Sequence, residues 1–99
     1  MSMYSIYILP DALDEIKALP GHIRSQVRRS VSALADVPRP ATSKALTYLE
    51  TQRELRRIRI DRWRVVYAVS EEEAAIDVIA VRKRPPYDYG DLAELLQRL

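Results

Sequence analysis

With 99 residues, 47% hydrophobic and 30% charged, and only two glycines, the composition is that of one ordinary globular domain, too short for a second. Cysteine is absent, which excludes disulfides and thiolate metal sites and fits a reducing cytoplasm; no export signal opens MSMYSIYILP and no run of 18 apolar residues exists, so no membrane is expected. Net charge is +2 but unevenly spread: residues 53 to 64 and 82 to 84 hold nine of the sixteen Lys and Arg against Glu54 and Asp61, while the rest of the chain is acidic. Such polarity is expected when one face meets phosphate.

Taken in order, Tyr4 to Leu9 alternates as a strand that Pro10-Asp11 ends. Ala12, Leu13, Ile16 and Leu19 then recur at helical spacing until Pro20-Gly21. Ile23, Val27, Ser30, Val31 and Leu34 form the apolar stripe of a second helix, with Arg24, Arg28, Arg29 and Asp36 on the solvent side. Pro38, Pro40, Thr42 and Ser43 make a loop, and Lys44 to Leu49 reads as a short strand or as an irregular approach to one. From Leu55 the period is two. One strand runs through Ile58 and Ile60, the next through Trp63, Val65, Tyr67 and Val69, and the last through Ile76, Val78 and Ala80 with Ile79 and Val81 interleaved. The short connections Asp61-Arg62 and Ser70 to Glu73 make these strands antiparallel neighbours. Asp91 to Leu99 places four leucines on one face of a short C-terminal helix. The expected fold is α+β: an N-terminal strand and a helical hairpin packed on a mostly antiparallel four-stranded sheet, over a single domain spanning residues 1 to 99, with the second sheet face concave and partly open.

If Ile60 and Trp63 flank the turn, Arg59 faces Arg64 and Arg57 faces Val66. Ile58, Ile60, Trp63, Val65, Tyr67 and Val69 then share the core face, and Arg57, Arg59 and Arg64 the other. Like charges directly opposed cost roughly 0.2–1 kcal/mol per pair, so the arrangement has no structural benefit, whereas a bound anion reverses the sign. Guanidinium forks match phosphate oxygens bidentately and stay charged at physiological pH. Arginine is also an ordinary way to make an outer strand face polar. Arg56, Arg62, Arg82 and Lys83 extend the positive charge as candidate RNA contacts, and Arg84 ends the last strand. Tyr87 and Tyr89 follow two stiffening prolines, where a ring can stack on an unpaired base or pack against the sheet. His22 is the only histidine, so a metal site lacks a ligand set, and no glycine-rich loop offers a nucleotide cradle; no cofactor is expected.

On YSIYILPDALDEIKALP, the hairpin ELRRIRIDRWRVVYAV and the exit VIAVRKRPPYDYGDL, the chain resembles the RelE/ParE superfamily of toxins from type II toxin-antitoxin pairs over nearly its full length. The resemblance, with the RelE branch favoured, implies a metal-independent endoribonuclease that cuts messenger RNA in the ribosomal A site and is neutralised by a cognate antitoxin. By position, Arg57 and Arg59 match the basic pair before the hairpin turn, Arg64 the arginine after it and Arg84 the arginine ending the last strand. Tyr87 or Tyr89 matches the family's tyrosine, and the spacing does not choose between them. The family expectation of lysine at one or both hairpin positions is not met: Arg57 and Arg59 stand there, and arginine is a poor base. Either a tyrosine helps, or the ribosome's positioning of the message carries the rate, or activity is weak. A ParE-like gyrase inhibitor that binds without cutting, and an inactive domain that only binds antitoxin, are the competing readings.

Overall fold

The computed structural model describes residues 3–46 and 54–83. Strand β1 (Ser5–Ile8) ends at Leu9, and Pro10 opens helix α1 (Pro10–Lys17) at the position where a missing N–H costs nothing. Asp11 in its first turn and Lys17 in its last complement the helix dipole. Helix α2 (Gly21–Ala33) starts directly after Pro20, and Arg24 Nη1 reaches back 3.2 Å to the Lys17 carbonyl, covering an acceptor at the end of α1. Three antiparallel partners follow a short β2 (Ser43–Ala45): β3 (Glu54–Ile60), β4 (Trp63–Ser70) and β5 (Ala75–Lys83).

The sheet has five strands in the order β1-β5-β4-β3-β2, with β1 parallel to β5 and the other pairings antiparallel. This is one strand more than the four expected from sequence. The extra one is β2, whose three residues are too few to print an alternation. The expected helix at 91–99 falls outside the described residues.

The core lies between one sheet face and the helical hairpin. Ala12, Ile16 and Leu19 of the first helical segment and Ile23, Val27, Val31 and Leu34 of the second pack on Ile58, Ile60, Val65, Tyr67, Val69, Ile76, Val78 and Val81. Trp63 is partly buried against the same cluster, so the face assignment of the hairpin holds at every apolar position. The buried Tyr67 ring keeps its hydroxyl satisfied by donating 2.8 Å to the Pro38 carbonyl, and burial raises its pKa.

The last strand departs from simple alternation. Val66 pairs with Ala80 while Tyr67 pairs with Val78, which leaves Ile79 as an extra residue in β5. Ile76 and Val78 therefore share the core with Val81, and Ala80 goes to the opposite face, where alternation had put it with Ile76 and Val78. The hairpin turn is tight enough to hold Asp61 at φ 56, a left-handed conformation that aspartate tolerates better than most residues.

Candidate nucleic-acid interface

Register places the basic residues in rows across the second sheet face. Arg59 of β3 pairs with Arg64 of β4, which pairs with Arg82 of β5, so three guanidinium side chains start side by side from neighbouring strands. One row inward, Lys44 of β2 pairs with Arg57, Arg57 with Val66, and Val66 with Ala80. A further row inward lie Leu55, Ala68 and Asp77. Strands in a sheet are about 4.8 Å apart, so the row of three arginines begins within roughly 10 Å from end to end.

Arg82 joins this row because of the Ile79 bulge. Under unbroken alternation residue 82 would share its face with Ile76 and Val78 and aim at the core; the extra residue turns it to the basic side. Its Nε pairs with a carboxylate oxygen of Glu15 on α1, and the other oxygen of that carboxylate accepts the Val81 N–H at 3.1 Å. The second contact has a topological origin. β1 pairs with β5 only as far as Val78, and Glu15 supplies an acceptor beyond the point where β1 stops.

Arg64 is anchored at the turn: its Nη1 donates 3.1 Å to the Trp63 carbonyl and 3.3 Å to the Asp61 carbonyl. Arg57 is half-buried and Arg59 exposed, and neither makes a hydrogen bond or ion pair to another described residue. The floor between these charges is apolar. Leu55, Val66, Ala68 and Ala80 are as buried as the core without belonging to it, so the face expected to be open is closed over its centre and basic along one end.

Not all the expected RNA contacts gather here. Arg56 pairs with Tyr67 on the helix-side face, where its Nε donates 3.0 Å to the Ser43 hydroxyl and its Nη1 pairs with Glu54 at 3.2 Å. It belongs to a polar network in which Arg39 binds Glu54 through both ends of its fork, at 2.6 and 2.8 Å, and Glu71 at 2.5 Å, while Tyr4 donates its hydroxyl to Glu71 at 2.7 Å. The Arg39 guanidinium holds the Glu54 carboxyl below the usual range, and the Tyr4 hydroxyl followed by Arg39 does the same for Glu71. Lys83 pairs with Trp63 and so stands on the helix-side face, exposed. Arg62 is exposed in the turn. Arg84, Tyr87 and Tyr89 lie outside the described residues.

Two features go beyond the sequence reading. The short strand expected within 44–49 is present as β2 (Ser43–Ala45), and its pairing brings Lys44 to the basic face beside Arg57, a placement that three residues are too few to show. A polar recess at the hairpin tip, lined by Gln26, Arg29, Ser30, Arg59, Ile60 and Asp61, joins the basic end of the sheet to α2. On the other side of the molecule Ile6, Ile8, Leu13 and Val31 line an apolar groove together with Arg28. Among the described residues no three His, Cys, Asp or Glu side chains converge as a metal site, and no helix is long and apolar enough to cross a membrane.

The search of curated proteins returned no match. Among solved structures, the chain is similar to archaeal RelE in the RelE-RelB complex of Pyrococcus horikoshii OT3, with TM-score 0.75 and 19% identity over 86% of this chain and 99% of that one. It is similar to a free E. coli RelE toxin carrying two arginine-to-alanine changes, with TM-score 0.69 and 23% identity over 100% and 99% of the two chains. The intact E. coli RelBE complex matches with TM-score 0.63 and 25% identity over 81% and 95%. These likenesses establish the shared fold, and the family model for the ParE toxin of type II toxin-antitoxin systems, parDE, matches residues 6–85. The chain therefore belongs to the ParE toxin family of type II toxin-antitoxin systems, on the fold that RelE toxins share.

Proposed function

We propose that this toxin is a ribosome-dependent endoribonuclease that cuts messenger RNA and so halts translation in the cytoplasm. The observation that carries the reading is the lateral row Arg59–Arg64–Arg82 with Arg57 behind it, all on one face. Opposed like charges are a poor way to build a solvated face and a good way to surround a phosphodiester.

In the proposed reaction a ribose 2′-oxygen attacks the adjacent phosphorus in line, the bond from phosphorus to the 5′-oxygen breaks, and the products are a 2′,3′-cyclic phosphate and a 5′-hydroxyl. Arg57, Arg59 and Arg64 neutralise charge growing on the phosphate oxygens, as preorganised donors do in sites of this kind. Arg82, tethered through Glu15, supplies a cation held at the edge of the path, and Arg62 in the turn guides the flanking backbone, while Lys83 on the helix-side face takes no part. Arg84 completes the set of phosphate ligands, and Tyr87 or Tyr89 stacks on a base or shares a proton. A cognate antitoxin is the second partner, seated with an apolar helix face in the groove of Ile6, Ile8, Leu13 and Val31.

The test is primer extension on cellular messages after a brief pulse of expression. Cuts at defined codon positions are expected, and they should vanish in an Arg64→Ala, Arg84→Ala double variant. Toxicity equal to the parent in that variant overturns the assignment. The match to the ParE family supports a second reading, inhibition of DNA gyrase by binding alone, which predicts blocked supercoiling with intact messages.

A further inference from the structure

The row of arginines reaches the margin of the sheet at Arg59. β2 pairs with β3 only as far as Ile58, so no described strand flanks the outer side of Arg59 and Ile60. There the polar recess at the hairpin tip, about 400 Å³ in volume, opens between β3 and α2. Arg59 and Asp61 line it from the tip; Gln26, Arg29 and Ser30 line it from α2, at the i, i+3 and i+4 spacing that sets side chains on one side of a helix. Resting on the nuclease reading above, we infer that this recess is a second ribonucleotide subsite, which holds a nucleotide of the message flanking the one that is cut. Arg29 and Arg59 bind its phosphate, and the Asp61 carboxylate accepts a hydrogen bond from its ribose 2′-hydroxyl.

The charges lining the recess do not neutralise one another in place. The Asp61 carboxylate makes no ion pair with either arginine, and neither arginine makes a hydrogen bond or ion pair to another described residue. Two guanidinium groups against one carboxylate leave an excess of one positive charge, matching the single negative charge of a phosphodiester. The volume lies in the range of small-molecule sites, about 300–1,000 Å³, which is room for a phosphate and its sugar rather than for a lone ion. A carboxylate is suited to a ribose hydroxyl, as in dinucleotide sites, and the 2′-hydroxyl is the group that separates RNA from DNA. Asp61 is also fixed in place: the turn holds it at φ 56, and its carbonyl accepts Arg64 Nη1 at 3.3 Å. Arg59 belongs to both the row and the recess, so a strand crossing the row arrives at Arg29 by continuing round the edge of β3.

If these were ordinary surface residues, replacing Arg29 or the Asp61 carboxylate would change little. The deciding experiment titrates toxin in single-turnover cleavage of defined messages on programmed ribosomes. It compares the parent, Arg29→Gln, Asp61→Asn and Arg57→Ala, with thermal unfolding and antitoxin binding of each. The messages carry one 2′-deoxynucleotide at successive positions on either side of the cut, the attacking ribose excepted. Arg29→Gln is expected to melt like the parent and to need about 10–100-fold more toxin for half-maximal cleavage, with a smaller change in the rate at saturation. One flanking 2′-deoxy position should cost the parent about 10-fold and Asp61→Asn nothing further, asparagine being tolerated at the left-handed turn position. Parent-like titration of Arg29→Gln overturns the inference, and antitoxin binding lost in that variant would assign the recess to the protein partner. A loss in Arg29→Gln with no sensitive 2′-deoxy position also overturns it, placing ribosomal RNA there instead. In each case loss of cleavage in Arg57→Ala leaves the nuclease reading standing; a parent that leaves messages intact sinks both.

Discussion

The two faces of this one sheet are built on opposite rules. On the helix-side face β3, β4 and β5 present Ile58, Val65, Tyr67, Val78 and Val81 to the helical hairpin, and every added contact favours folding. On the reverse face the same strands, one residue out of phase, present Arg57, Arg59, Arg64 and Arg82; the opposed Arg59 and Arg64 repel each other, while Arg82 is tied to Glu15. On the proposed reading, stability and recognition are separated by a single step along the backbone, and the basic face would gain energy when an anion arrives.

That comparison is sharpest where a substitution should move one property and leave the other. The largest effect is expected from an Arg57→Ala, Arg59→Ala double variant, since neither side chain makes a hydrogen bond or ion pair to another described residue. Its cleavage rate should fall by about 10²–10³-fold or more, the usual cost of removing preorganised charge stabilisation, with the unfolding midpoint in urea unchanged or raised. A parallel fall in stability would show that the basic face is structural after all. The converse variant, Ile16→Ala, leaves a cavity between α1 and the sheet and should lower stability by about 2–5 kcal/mol in urea unfolding, while the protein that remains folded cuts at the parent rate.

Smaller effects test the ties around these faces. Tyr67→Phe removes the hydroxyl bound to the Pro38 carbonyl and should cost about 0.5–1.5 kcal/mol in the same assay without altering cleavage. Arg39→Ala breaks the network on Glu54 and Glu71 at a cost of about 0–1 kcal/mol, reduced further by salt. Glu54 titrates lower in the folded chain than its ordinary value, so its contribution is present above the usual carboxylate range and is lost as pH falls through that range toward the folded value. The acid limb of the stability profile should therefore be steeper in the parent than in Arg39→Ala; identical limbs would remove this network from the account. The smallest effect is a gain: Arg59→Thr relieves one opposed pair and should stabilise the protein by about 0.2–1 kcal/mol while weakening RNA binding.

Much of this was legible in the residues because local patterns carry it. Pro10-Asp11 marks the end of β1 and Pro20-Gly21 the break between the helices, the stripe Ile23, Val27, Val31, Leu34 identifies the buried side of α2, and the two-residue turn at Asp61-Arg62 sets the register that opposes Arg59 to Arg64. Three features were not legible. Arg56 sits among other arginines in sequence but is one residue out of phase with Arg57, and its partners Ser43 and Glu54 draw it into a different network. β2 is three residues long, too short for alternation to show which face Lys44 takes even where a short strand is read there. The insertion of Ile79 leaves no mark in a run of apolar residues, because Ile76 to Val81 suits either face.

The residues alone determined which strands pair in the hairpin and which side chains each face receives there, since turn length and a period of two leave only one register that buries the apolar set. Which residues meet across more than one strand was decided by tertiary structure. The bulge in β5 brings Arg82 beside Arg64, β2 brings Lys44 beside Arg57, and Glu15 reaches β5 where β1 ends. Those juxtapositions depend on where strands stop and slip against partners distant in the chain, and no local pattern encodes them.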